Sequence, residues 1–194
     1  MQGGTPPPRK VMVVAEPTRE SAGALQYALS NAALEQDELI LLHIGNPNSW
    51  RNTFSTFLRR PSAGSSSTMA SSDGVAEDVD FLEEMKHACK KFQPKLRVRV
   101  ERVEIEGKDK AGVILSQSKE LGIDLLVIGQ RRSLSTAILG SRRPGGPMRG
   151  TKGVDTTEYL IENSDCLCVG VQKKGQNAGY LLTTKTYRNF WLLA

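Results

Sequence analysis

The sequence predicts an α/β domain built on a five-stranded parallel sheet with helices on both faces. Short runs that are apolar at nearly every position recur along it: Lys10-Val-Met-Val-Val-Ala, Glu38-Leu-Ile-Leu-Leu-His-Ile, Asp124-Leu-Leu-Val-Ile-Gly and Cys166-Leu-Cys-Val-Gly-Val. Strands of that kind are covered on both faces. Amphipathic helical stretches fall between them, and such alternation forces right-handed crossovers and parallel strands. The run from Asp124 then breaks at Gly129 into Gln130-Arg-Arg-Ser, so a buried strand delivers a cationic, hydroxyl-bearing loop.

The elements follow in order. After the strand from Lys10, Thr18 reads as an N-cap with Glu20 in the first turn, and Ala24, Leu25, Ala28, Leu29, Ala32 and Ala33 recur at helical spacing up to Asp37. The strand from Glu38 leads into an irregular insertion, 46–79. Its first part carries Trp50, Phe54, Phe57 and Leu58, which either pack as a short helix or wait for a partner. Its second part, Pro61 to Gly74, is too rich in Ser and Gly to offset its ordering entropy. Phe81, Leu82, Met85, Ala88, Cys89 and Phe92 form a helical stripe that stops before Pro94. Leu96, Val98 and Val100 alternate with charges, as an edge strand would. Ala111, Ile114, Leu115 and Ser118 lead to Gly122 as a helix C-terminal glycine. The strand from Asp124 follows, then a basic Gly/Pro loop over 140–153, a helix over Val154 to Asn163 and the last strand.

With 194 residues, 39% of them hydrophobic, the chain supports one α/β domain, 10–171, between a flexible tail at 1–9 and an aromatic tail at 172–194. The tail's Phe190, Trp191, Leu192 and Leu193 would each gain about 1.5 to 3 kcal/mol on burial, so they are expected to dock on the domain or on a protein partner. The net charge of +5 is modest and concentrated: Arg131, Arg132, Arg142, Arg143, Arg149 and Lys152 occur with no acidic residue between them. That favours a local anionic ligand. Nucleic acid is disfavoured, because no aromatic residues interleave with the basic ones.

Three cysteines and no secretory pattern at the amino terminus point to a reducing, cytoplasmic or nuclear setting. No run approaches the roughly 18 apolar residues of a membrane span. His43, inside an apolar strand, reads as structural, and His87 reads as solvent-facing. There is no Gly-x-Ser-x-Gly elbow and no metal-ligand spacing, so catalysis is the weakest class. Gly145 to Lys152 approaches a phosphate-loop pattern, but its Lys and Thr are exchanged and no strand precedes it. Ligands of open parallel sheets bind beyond the carboxyl ends of the strands, which makes the loop after Gly129 the expected anion site.

On these residues the chain resembles plant members of the universal stress protein family. Val13-Val-Ala-Glu-Pro-Thr-Arg-Glu-Ser with Ala24-Leu-Gln-Tyr-Ala-Leu is similar to that family's first strand and helix, Leu41-Leu-His-Ile to the end of its second strand, and Asp124-Leu-Leu-Val-Ile-Gly to its fourth. The resemblance implies a Rossmann-like sheet in the order 3-2-1-4-5 and a homodimer through the last strand. It also implies a site for ATP or another adenine nucleotide, made by an acidic residue after the first strand and a Gly-x2-Gly-x9-Gly-Ser/Thr loop after the fourth. Glu16 stands in the acidic position and Gly129 in that of the first glycine; Arg132 replaces the second. Gly140 and Ser141 resemble the closing pair but come two residues early, and Val154 and Asp155 are the other candidates for it. The implied pocket is Glu16 towards the adenosine end, with Gly129, Gln130, Arg131, Arg132, Ser133, Gly140 and Ser141 around phosphate. The function expected is a non-catalytic regulatory domain of the stress response. The alternative is a nucleotide-independent interaction module acting through the Ser-rich loop and the C-terminal tail.

Overall fold

In the computed structural model of the chain the described residues are 7–45, 80–105, 109–131, 155–175 and 179–193. Along them run β1 (Lys10–Val14), α1 (Arg19–Tyr27), a π-helical turn (Ala28–Ala32), β2 (Glu38–Gly45), α2 (Phe81–Phe92), β3 (Arg97–Glu104), α3 (Lys110–Glu120) and β4 (Leu125–Gly129). Then come α4 (Thr156–Asn163), β5 (Leu167–Lys173), β6 (Tyr180–Thr183) and β7 (Phe190–Leu192). All seven strands form one sheet, in the order β3-β2-β1-β4-β5-β6-β7. The first five are parallel, in the expected order. The Ser-rich insertion and the basic Gly/Pro loop lie outside the described residues.

Alternation along each central strand feeds two apolar layers. Val11, Val13, Leu39, Leu41, Val127 and Val169 face one side, where Ala24 and Leu25 of α1 and Leu82 and Cys89 of α2 cover them. Met12, Val14, Ile40, Leu42, Leu126, Ile128 and Cys168 face the other, against Ile114 of α3 and Leu160 and Ile161 of α4. Both layers being apolar is why these strands carry uninterrupted hydrophobic runs. Burial pushes the Cys89 thiol up to about 11 and the Cys168 thiol up to about 12, so both are packing groups, not nucleophiles.

The helices start where their caps stand. Thr18 accepts from Ser21 N–H at 3.2 Å, Asp80 from Leu82 N–H at 3.0 Å, Asp109 from Gly112 N–H at 2.9 Å and Asp155 from Thr157 N–H at 3.1 Å. The first helical pattern, continuous in the sequence to Ala33, is α-helical only to Tyr27 and then widens to the π-helical turn. Gln93 Nε2 donates to the carbonyls of Leu29 and Ala33 at that turn, at 2.6 and 3.3 Å. Asp37 closes the connection by accepting from the Leu34 and Arg9 backbone amides and the Arg9 guanidinium. Burial pushes its carboxyl up, but those donors prevail and hold it below the usual carboxylate range.

Beyond the expected five strands the tail adds two. Gln172 and Lys173, expected in a flexible tail, prolong β5, and β6 pairs antiparallel with it from Lys173↔Tyr180 to Gly170↔Thr183. Tyr180 and Leu182 enter the α1-side layer. The docking expected of the last aromatics is partial: Leu192 packs on that layer, but Trp191 is 57% and Leu193 82% exposed. Arg188 ties the ribbon to α4 through Glu158 and Glu162. The outer edge of β5 is thus bonded to β6, and a second chain could pair there only after the ribbon left; among the described residues the free edge on this side is β7.

Candidate functional site

Strand order reverses between β1 and β4, because β1 leads to β2 on one side while β4 leads to β5 on the other. Open α/β sheets place their ligand crevice at such a point, beyond the carboxyl ends of the two strands. Glu16 and Gln130 stand there, two residues past Val14 and Ile128 respectively, so strand alternation turns both towards the α3 and α4 side.

The turn after β1 is held by its own hydrogen bonds. Glu16 N–H donates to Ser21 Oγ at 2.9 Å, Ser21 Oγ–H donates to Val14 O at 2.9 Å, and Thr18 N–H donates to Glu16 O at 2.8 Å. The Glu16 carboxylate is ion-paired with Lys110, in the first turn of α3. That lysine was missed in the sequence, although Asp109 as an N-cap after the third strand would have placed it at this end of the sheet. His43 lies near, its Nδ1 2.8 Å from Ala15 O and its ring edge-on to Phe81 with centroids 5.0 Å apart. Desolvation lowers the His43 pKa; the bond to Ala15 and the nearby Glu16 oppose this, and Lys110 and Arg102 reinforce it. It is the structural histidine expected, and His87 is exposed on α2 as expected.

Beyond β4, Gln130 N–H donates to Val171 O at 2.8 Å, which continues the β4–β5 pairing past the strand end. Its side chain lies over Gly170: a Cβ built there would come 3.2 Å from Gln130 Oε1, 3.0 Å from the Thr157 methyl and 3.2 Å from Ile161. Gly129 faces the opposite layer. A Cβ on it would overlap the carbonyl of Glu20 and come 2.8 Å from Ser21 N, so the glycine is required by the approach of α1. Arg131 is exposed at the head of the loop. Of the residues expected around a ligand, Glu16, Gly129, Gln130 and Arg131 gather at this end of the sheet, and Arg132, Ser133, Gly140 and Ser141 lie outside the described residues. Glu16 offers acceptors suited to ribose hydroxyls or an amino group, and Lys110, Arg131 and the Gln130 side-chain amide offer donors suited to a phosphate.

Among the described residues no group of three or more His, Cys, Asp and Glu could hold a metal ion, and no helix is long and apolar enough to cross a membrane. A family model described as the universal stress protein family matches residues 8–171. No curated protein matches the chain. Among solved structures, a universal stress protein family protein from Arabidopsis thaliana with AMP bound is 14% identical at a TM-score of 0.51, over 88% of this chain and 96% of that one. A universal stress protein in complex with cAMP is 15% identical at a TM-score of 0.49, over 82% and 93%. A universal stress protein from Archaeoglobus fulgidus is 16% identical at a TM-score of 0.42, over 83% and 96%. At these identities the likeness is one of fold.

Proposed function

The chain belongs to the universal stress protein family, and from that premise we propose that it is a regulatory domain that works by holding an adenine nucleotide in the crevice beyond β1 and β4. One observation carries the reading: Glu16, Lys110 and Gln130 converge at the point where strand order reverses, on the side where α3 and α4 begin. The Arabidopsis protein of the same fold holds AMP. Here the adenosine end lies towards Glu16 and the phosphate towards Gly129, Gln130 and Arg131. ATP, ADP and AMP all belong to the class this donor set accommodates.

Calorimetric titration of the full chain with AMP, repeated on Glu16→Ala, tests the reading. Micromolar to millimolar binding that weakens tenfold or more in the variant is expected, because a ligand in this crevice touches the residue at the end of β1. An absence of heat for any adenine nucleotide sinks it.

A second reading is favoured by one specific feature, the aromatic free edge of the C-terminal ribbon. Tyr187, Trp191 and Leu193 are all more than half exposed there, on or beside a strand with one side unpaired among the described residues. In that reading the ribbon engages another protein. The two separate cleanly, since Trp191→Ser would remove the aromatic contact and leave nucleotide affinity unchanged.

A further inference from the structure

We propose that β7 is a self-association edge: two copies of the chain pair their β7 strands antiparallel about a twofold axis at Trp191, so that the sheet of one copy continues into the other. The inference rests on the second reading above, that the ribbon engages a protein, and is independent of the nucleotide. Among the described residues the sheet ends in two strands, β3 and β7. Soluble proteins guard such edges with charged side chains. β3 is guarded, since Arg97, Arg99, Glu101, Arg102 and Glu104 are five of its eight residues. β7 is not: the run Asn189-Phe-Trp-Leu-Leu is uncharged on both faces.

The strand that fits this edge is another of the same. Pairing with β6 sets Trp191 opposite Leu181, and Phe190 and Leu192 opposite Leu182 and Tyr180. Because Tyr180 and Leu182 enter the α1-side layer, Phe190 and Leu192 turn to that side and Trp191 to the other, where alternation adds Leu193. A twofold axis perpendicular to the sheet keeps every side chain on its own face. Centred on Trp191, it sets the two Trp191 side chains against each other, Phe190 of each copy against Leu192 of the other, and Leu193 of each against Asn189 of the other. Trp191 and Leu193, 57% and 82% exposed in the single chain, then form one apolar stripe across the axis. No like charges meet there, since the nearest in sequence, Arg188, is held within its own chain by Glu158 at 3.3 Å and by Glu162. The edge offers no charge for an acidic or basic strand to answer, and its own copy supplies the matching apolar one. Three paired residues bury less area than a stable dimer needs, so the association is weak and reversible, with a dissociation constant on the order of 10 to 100 μM.

Sedimentation of the full chain from about 1 to 500 μM tests the proposal, beside Trp191→Lys, which sets two like charges face to face at the axis, and Leu193→Lys at the more exposed flank. Thermal melting checks that each variant folds. The native chain is expected to pass reversibly from monomer to dimer, with association about tenfold or more weaker in Trp191→Lys, weaker to a smaller degree in Leu193→Lys, and AMP affinity the same in all three. The register is tested by oxidation in air of Trp191→Cys and Tyr187→Cys. Opposed residues of antiparallel strands stand about 4.5 to 5.5 Å apart between Cα atoms, within reach of a disulfide, so Trp191→Cys should form a covalent dimer well ahead of Tyr187→Cys, which is exposed but outside the paired strands. A chain that stays monomeric throughout, a dimer that Trp191→Lys leaves intact, or equal cross-linking at the two positions overturns the proposal. A monomer of that kind leaves standing both the nucleotide reading and the engagement of the ribbon by a different protein.

Discussion

Gly129 has no side chain because α1 needs the space, and that makes a substitution at this residue informative. In Gly129→Ala the added methyl meets the backbone of Glu20, which cannot move without shifting the helix, so a loss of about 1 to 3 kcal/mol in a denaturant titration is expected. Stability equal to the native chain would mean that α1 shifts freely, contrary to the packing described. His43 supplies a second residue-scale prediction, with a sign fixed by its lowered pKa. Below the unfolded value of 6.5 the unfolded chain takes up a proton that folded His43 still refuses, so its contribution is full above that pH and is lost as pH falls towards the folded value. Melting temperatures of His43→Gln should therefore decline less steeply than the native ones between pH 7 and 5. The neighbours that set this environment come from three separate places: Glu16 from the turn after β1, Lys110 from the first turn of α3 and Arg102 from β3. Glu16 was legible because it follows an apolar strand; Asp109 as an N-cap would have put Lys110 in a first helical turn, but nothing in the sequence says which acid a lysine there meets.

The elements divide into those that local pattern specifies and those that tertiary pairing decides. β1, β2, β4 and β5 are apolar runs, and α2 ends where its stripe meets Gln93 before Pro94, so each was visible in one dimension. The break of α1 into a π-helical turn was not, because the apolar spacing through Ala33 is the same in both; the distant Gln93 side chain bonds the carbonyls there. β6 and β7 were read as a tail for a related reason. Four- and three-residue strands carry little periodicity, and the exposed side of Trp191 gives β7 no alternating apolar face. Their weight in the fold is testable: Leu182→Ala should cost about 2 to 5 kcal/mol and Trp191→Ala less than about 1 kcal/mol by chemical denaturation. Truncation after Lys174 should lower the melting temperature and expose the β5 edge to self-association in sedimentation. A truncated chain that melts and sediments like the full one would refute the pairing of the ribbon with β5.

At the scale of the whole molecule, the five parallel strands bring the ends of β1 and β4 together from positions more than a hundred residues apart, and the site is a consequence of that topology. The order 3-2-1-4-5 and the strand-end location followed from the family resemblance and from alternation, and Asp155 was already a candidate beside the last helix, whereas the pairing of Glu16 with Lys110 and the capping bond between Thr157 N–H and Asp155 emerged only with the folded chain. The function proposed above comes down to a location for an adenine nucleotide, beyond β1 and β4 and between the starts of α3 and α4. Backbone amide chemical shifts recorded while AMP is titrated into the full-length protein test that most directly. The account predicts that the largest shifts cluster at Glu16, Lys110, Gly129, Gln130, Arg131 and Thr157, saturate together, and weaken with added salt as a phosphate contact requires. Saturable shifts that cluster on the β6–β7 ribbon, or a spectrum that AMP leaves unchanged at millimolar concentration, would contradict it.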